Sequence, residues 1–232
     1  MAETVLIFAR APRLGTVKRR LAAGIGVREA LRFHRAMLFS LARRLRADRR
    51  VRPIAVITPD RARVPGLGVP GLSVPRIGQG VGDLGVRMAR AIARFPRRRV
   101  YIIGCDIPGI GPADILAARR ALGRAEAVFG PAEDGGYWLV GLGPRRPARL
   151  FAGVRWSTPD ALADTLANFV GRRVAFLSCR RDIDTVEDLW AQQMKPPSRS
   201  VAFPAAVCGA RGSRQSSGYT KRDFGSAPSQ SP

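Results

Sequence analysis

The sequence is poor in lysine, cysteine and histidine, and each shortage narrows what the chain does. Basic residues number 40 against 17 acidic, a formal charge of +23, yet only Lys18, Lys195 and Lys221 are lysines. Arginine supplies the rest, alongside abundant Ala, Gly, Pro and Val, a composition that GC-rich codons produce without selection for a polyanion. Such a charge raises the expectation of a nucleic-acid or anionic-membrane partner. The arginines, however, are scattered over helix faces and turns, as in LARRLRADRR (41–50) and FPRRRV (95–100). There is no aromatic-interleaved RNA platform and no recognition-helix module. General polyanion affinity is expected; specific nucleic-acid binding is not.

The cysteines, Cys105, Cys179 and Cys208, are few, widely spaced and odd in number, which argues against a disulfide framework or a zinc site. His34 is the one histidine. It falls in an apolar-patterned helix, where it reads as a core or boundary residue, so catalysis built on histidine is not expected. No apolar run approaches the roughly 18–20 residues that span a bilayer, and MAETVLIFAR has no cationic region before its short apolar stretch. These absences lead to the expectation of a cytoplasmic protein with no membrane span.

What is present suits one well-buried domain: 232 residues, 46% of them apolar. From about residue 195 the chain turns rich in Ser, Gly and Pro without periodicity, so residues 1–194 are assigned to a folded domain and 195–232 to a disordered tail. Within the domain, β-like runs at 4–9, 53–58, 99–104, 127–130, 137–142 and 173–178 alternate with helical patterns at 28–47, 83–95, 112–122 and 159–170. Several runs are apolar on both faces, which predicts an α/β fold with a mainly parallel sheet covered by helices on both sides. Asp83, Pro112 and Ser157–Thr158–Pro159 supply helix starts. Ligands of such sheets lie beyond the carboxyl ends of the strands, so the residues after each strand carry the functional information.

After the first strand comes ARAPRLGTVKRRL (9–21). Pro12 and Gly15 shape a tight loop, and Lys18, Arg19 and Arg20 open a helix whose N-terminal amides favour an anion such as a diphosphate. It is neither a Walker loop nor a G-x-G-x-x-G fingerprint, and an ordinary basic loop is the plainer alternative. GCDIPGIGP (104–112) delivers Asp106 at a strand end, suited to a hard divalent cation bridging to phosphate or, more simply, to a turn. Beside it, Cys105 reads as a small buried side chain. CRRDIDTVEDLW (179–190) adds Asp182 and Asp184 as a second carboxylate site for a metal, while Glu187 and Asp188 suit a helix dipole. GPAEDGGYWLVG (130–141) sets Glu133, Asp134, Gly135 and Gly136 before an aromatic strand, where a bland turn needs a single Asp-Gly pair. The two glycines allow something to approach the backbone closely, and either carboxylate can receive a hydroxyl, a metal or a proton. Asp83, in GDLG, is either a cap or a ligand contact.

In order and spacing, FARAPRLGTVKRRL, GVGDLGVRMARAI, IIGCDIPGI, AVFGPAEDGGYWLVGL, LFAGVRWSTPDAL and DIDTVEDL resemble the DUF2064-type family of GT-A-like proteins often labelled glycosyltransferases. Some of its members are associated with arsenosugar biosynthesis. The guanylyl- and cytidylyltransferases acting on molybdopterin and phospholactate are distant relatives. The resemblance covers roughly residues 3–192 and implies a GT-A sheet binding a nucleotide-activated donor. Arg10, Pro12, Gly15, Lys18, Arg20, Asp83, Gly135 and Gly136 would then bind nucleotide and phosphate. Asp106, Asp134 and Lys18 would serve catalysis, with Asp106 and Asp184 on a divalent cation, Mg or Mn. Where the family usually has lysine and threonine, this chain has Arg10 and Arg19, which changes a point ammonium to a planar fork and a hydroxyl to a cation. The implied activity is glycosyl transfer from a nucleoside-diphosphate sugar to an unknown acceptor. The alternatives are nucleotidyl transfer with release of pyrophosphate, and an Arg-rich accessory protein that binds polyanions.

Overall fold

The computed structural model describes residues 2–68 and 72–193; the tail expected at 195–232 lies outside the described residues. Seven strands form one sheet in the order β3-β2-β1-β4-β6-β5-β7. They are β1 (Glu3–Arg10), β2 (Val51–Thr58), β3 (Arg76–Gly78), β4 (Val100–Gly104), β5 (Ala127–Pro131), β6 (Tyr137–Leu142) and β7 (Val174–Phe176). All neighbours run parallel except β6, which is antiparallel to both β4 and β5. The helices are α1 (Arg19–Ile25), α2 (Val27–Ala47), α3 (Leu84–Ala93), α4 (Pro112–Ala121), α5 (Ala161–Ala167) and α6 (Val186–Gln193).

The period-2 alternation of the central strands divides the core into two layers. On one face Val5, Ile7, Ala55, Ile57, Tyr101 and Ile103 pack against Leu38, Leu41 and Leu45 of α2 and Ile115 and Ala118 of α4. On the other, Leu6, Ile54, Val56 and Ile102 meet Met88, Ala91 and Ile92 of α3, with Leu162 and Leu166 of α5 packed alongside. Both faces of β1 are therefore dry, as its continuous apolar run requires.

The differences from the sequence reading are local. Strand β3 was not expected, because three residues at a sheet edge carry no periodic signal; it is held by pairing with Ala55–Ile57 of β2. Helix α5 begins at Ala161, after Ser157–Thr158–Pro159, because the Thr158 hydroxyl accepts from the Asp160 amide and donates to the Arg155 carbonyl, making a turn of that segment. Asp83 and Pro112 start α3 and α4 as expected, the Asp83 carboxylate accepting from the Val86 amide at 2.8 Å.

Phe129 of β5 is fully buried and meets Tyr137 and Phe169 edge-on at centroid distances of 5.4 and 5.5 Å. Phe129→Ala should cost about 3–5 kcal/mol through lost burial and the cavity left behind. Urea unfolding checks this as a lowered transition midpoint.

Candidate functional site

At the carboxyl ends of β1 and β4 the chain builds two adjoining clefts that share Phe8 and Asp106. The first, about 420 Å³, is formed by Arg10, the segment Thr16–Arg20, His34, Cys105, Asp106 and Asp184. The second, about 400 Å³, lies across Asp106 and is lined by Asp134, Gly136, Tyr137, Trp138, Trp156–Thr158 and Asp182, with Leu84, Met88 and Ile107 among its apolar residues.

The loop after β1 is a local turn: the Thr16 hydroxyl donates to the Arg13 carbonyl, and Gly15 supplies the positive φ of +71°. Lys18 follows in the left-handed region, at φ 48° and ψ 49°, an arrangement that costs a side-chain-bearing residue about 1–2 kcal/mol. There its side chain, 4% exposed, turns inward. Nζ donates to the Ile183 carbonyl and the Asp184 carboxylate, both at 2.7 Å, and lies 3.2 Å from Asp106 Oδ1. Burial opposes the charge on Lys18, but Asp106 and Asp184 outweigh it and its pKa is raised. One ammonium thus ties together three loops that follow β1, β4 and β7.

The last of these loops is held from several sides. The Ile183 amide donates to the Asp106 carbonyl at 3.2 Å, and the Glu133 amide to the Arg180 carbonyl at 3.0 Å. The Arg180 guanidinium lies over the Trp138 ring at 4.7 Å and pairs with Asp114. Asp188 accepts from the Asp184 and Thr185 amides and from the Thr185 hydroxyl, which caps α6 and gives the expected helix-start role a definite form.

The double glycine has a structural partner within the chain. A Cβ on Gly135, whose φ is +86°, would sit 2.1 Å from the Pro159 carbonyl oxygen, and the Leu162 amide donates to the Gly135 carbonyl at 3.0 Å. The close approach is therefore made by the turn that carries Trp156–Thr158, and the glycines set the wall of the second cleft. Of the two neighbouring acids, Glu133 pairs with Arg181 at 2.7 Å and lines neither cleft. Asp134 lines the second, its Oδ1 accepting from the Gly136 amide at 2.9 Å. Tyr137 and Trp138 go to opposite layers of the core, Tyr137 toward Phe129 and Trp138 with its indole N–H on the Ser178 carbonyl.

Of the residues singled out in the sequence, Arg10, Lys18, Arg20, Asp106, Asp134, Gly136 and Asp184 line the two clefts. Pro12, Gly15, Asp83 and Gly135 line neither; Gly15 and Gly135 shape turns and Asp83 caps α3. Cys105 is buried, and burial together with Asp106 holds its thiol well above the ordinary value, which removes nucleophilic character.

Two residues gain importance. His34 is 4% exposed; its Nε2 lies 2.9 Å from the Arg10 carbonyl, while Nδ1 is buried without a partner, 3.9 Å from Asp106 Oδ1. Its expected core role holds for one nitrogen only. Asp182 lines the second cleft, and burial, Asp184 and Asp134, in that order, push its pKa up to about 6. The only sequence signal for it was the D-x-D spacing after the last strand.

The fold is that of nucleotide-diphospho-sugar transferase-like proteins. A structure from Desulfovibrio desulfuricans G20, provisionally described as a nucleotide-diphospho-sugar transferase, superimposes with a TM-score of 0.75 at 28% identity, over 84% of this chain and 87% of that one. The chain belongs to the DUF2064 family, described as "Uncharacterized protein conserved in bacteria", whose profile matches residues 41–158. The fold also matches 4-diphosphocytidyl-2C-methyl-D-erythritol synthase from Anaerococcus prevotii DSM 20548, with a TM-score of 0.56 at 12% identity, covering 84% of this chain and 99% of that one. The inositol-1-phosphate CTP transferase of T. maritima follows at 0.51 and 10%, covering 81% and 91%. No curated protein matches the sequence. Among the described residues no helix is long and apolar enough to cross a membrane.

The raised pKa of Asp182 has a consequence for stability. An unfolded aspartate titrates at about 3.9, so between that pH and about 6 the folded chain holds the extra proton. Stability contributed by this group is present at low pH and is lost as pH rises through that window. Asp182→Asn should therefore raise the melting temperature at pH 7.5 in EDTA, with the gain vanishing toward pH 4. A variant no more stable than the parent at pH 7.5 would remove the assignment.

Proposed function

We propose that this chain is a metal-dependent transferase using a nucleotide-activated donor, moving a glycosyl group from a nucleoside-diphosphate sugar to an acceptor held in the second cleft. The observation that carries this reading is the pairing of a cleft bearing Arg10, Arg19 and Arg20 with a carboxylate-lined cleft, meeting at Asp106. Arg10 and Arg20 hold the diphosphate from the open side of the first cleft, and Arg19 adds a further cation there.

Asp106 and Asp184 already converge on one cation, the Lys18 ammonium, so two hard oxygen donors are in place for Mg or Mn. When bound, such an ion would neutralise charge growing on the departing diphosphate. The bond from the anomeric carbon to the diphosphate oxygen breaks, its electron pair leaving with the diphosphate. The acceptor oxygen forms the new bond to that carbon. Its proton passes to a carboxylate of the second cleft, which Asp134 and Asp182 both line.

A thermal-shift panel of nucleoside-diphosphate sugars and nucleoside triphosphates, each with and without Mg or Mn, tests the reading. A cognate diphosphate sugar at about 100 times its Kd should raise the melting temperature by about 5–10 °C with metal present. That shift should vanish in Asp106→Ala and in Asp106→Asn, the latter retaining the side-chain shape. Preference for a triphosphate would replace glycosyl transfer by nucleotidyl transfer, and no nucleotide response would return weight to polyanion binding.

The metal assignment has its own check. Lys18→Met keeps the aliphatic stem but leaves Asp106 and Asp184 without their shared cation. Since both carboxylates are nearly half exposed, the loss in EDTA should be about 1–3 kcal/mol. Millimolar Mn should restore more stability to this variant than it adds to the parent, where the ammonium competes. An equal response in both proteins counts against a metal at Asp106 and Asp184.

A further inference from the structure

The second cleft differs in charge from everything around it. Of 40 basic residues in the sequence, none is among the described residues that line it, whereas Asp106, Asp134 and Asp182 all do. Lys18 compensates Asp106 from the first-cleft side, through Nζ at 3.2 Å. The carboxylates of Asp134 and Asp182 have no such ion pair among the described residues. The remaining wall is aromatic and apolar: Trp156 meets Tyr137 edge-on at 6.4 Å and is backed by Phe151 at 6.0 Å.

We infer that the second cleft selects a small, hydroxylated organic cation, an amine-bearing molecule whose body rests on Trp156 and whose charge lies between Asp134 and Asp182, and that it refuses phosphorylated and carboxylated acceptors. This rests on the transferase reading and supplies the acceptor class that reading lacks. The argument is one of charge and dielectric. An anion entering this cleft meets two carboxylates that have no ion pair among the described residues, in a partly desolvated space, and finds no lysine or arginine among the described lining residues to receive it. An ammonium meets the opposite: two carboxylates and the Trp156 indole, a ring whose face attracts cations through its quadrupole. The arginines of the first cleft hold the donor's phosphates, so the two clefts sort their ligands by sign.

The test uses a matched series on one ring, glucosamine, glucose and glucose 6-phosphate, titrated at pH 7.5 in EDTA with the first cleft saturated by inorganic pyrophosphate. The readout is the Trp156 indole N–H resonance of the full chain, assigned by its loss in Trp156→Phe. Glucosamine should move this signal with a Kd about tenfold below that of glucose, and glucose 6-phosphate should not move it. In Asp134→Asn/Asp182→Asn the advantage of glucosamine over glucose should fall below about threefold. Asparagine retains the carbonyl that accepts from the Gly136 amide, so the turn at 134–136 is expected to persist; the unchanged remaining indole resonances verify the fold. The inference is overturned if glucose 6-phosphate moves the signal at least as readily as glucosamine. It is equally overturned if glucosamine leaves the signal unmoved, or if its advantage survives in the double variant. This series involves no nucleotide and no turnover. Failure of the nucleotide panel would sink the transferase reading while leaving this order of binding in place, and a reversed order would sink only the acceptor class.

Discussion

The buried ammonium of Lys18 is the constraint on which the site depends. It joins the loop after β1 to Asp106 after β4 and to Ile183 and Asp184 after β7, three segments far apart in sequence. Left-handed backbone at Lys18 is unfavourable for a residue with a side chain, and two carboxylates and a carbonyl oxygen offset it. Without that ammonium, Asp106 and Asp184 would repel, and the position they share would be open to another cation. The same three atoms therefore hold the loops together and define where a metal would compete.

From this junction the two clefts acquire opposite characters. One wall comes from the first loop and the start of α1, with arginines directed to the open side. The other comes from the loop between β5 and β6, the start of β6, the turn that carries Trp156–Thr158 and the loop after β7, with carboxylates and aromatic rings. Asp106 belongs to both, which puts this carboxylate where the two clefts meet. The packing of Gly135 on Pro159 joins the turn before β6 to the turn before α5, so the floor and the side of the second cleft form one unit. The far end of the sheet is tied separately, by Glu3 pairing with Arg99 and Arg119.

The +23 charge illustrates how composition and site diverge. Counted along the chain it points to polyanions; resolved in space, the cationic groups of the first cleft stand beside a cleft with no lysine or arginine among its described lining residues. The D. desulfuricans structure places the chain in a nucleotide-diphospho-sugar transferase-like fold, and within that fold the linings of the two clefts differ in sign.

Most of the architecture was legible in the sequence, because apolar runs and helical periods are local signals. The runs at 4–9 and 53–58 became β1 and β2, the period at 28–47 became α2, and Asp83 capped α3 as its position before an apolar helix suggested. The loops carrying Arg10, Lys18, Asp106, Asp134 and Asp184 were legible too, since each follows a strand. What the sequence alone did not determine is how those loops meet. That Lys18 turns inward, that Glu133 goes to Arg181 while Asp134 enters a cleft, that Gly135 accommodates Pro159, and that Asp182 lies beside Asp134 are all contacts between segments separated by many residues. Local pattern sets the elements; desolvation and charge pairing across the sheet ends, which exist only once the chain has folded, decide which side chains become a site.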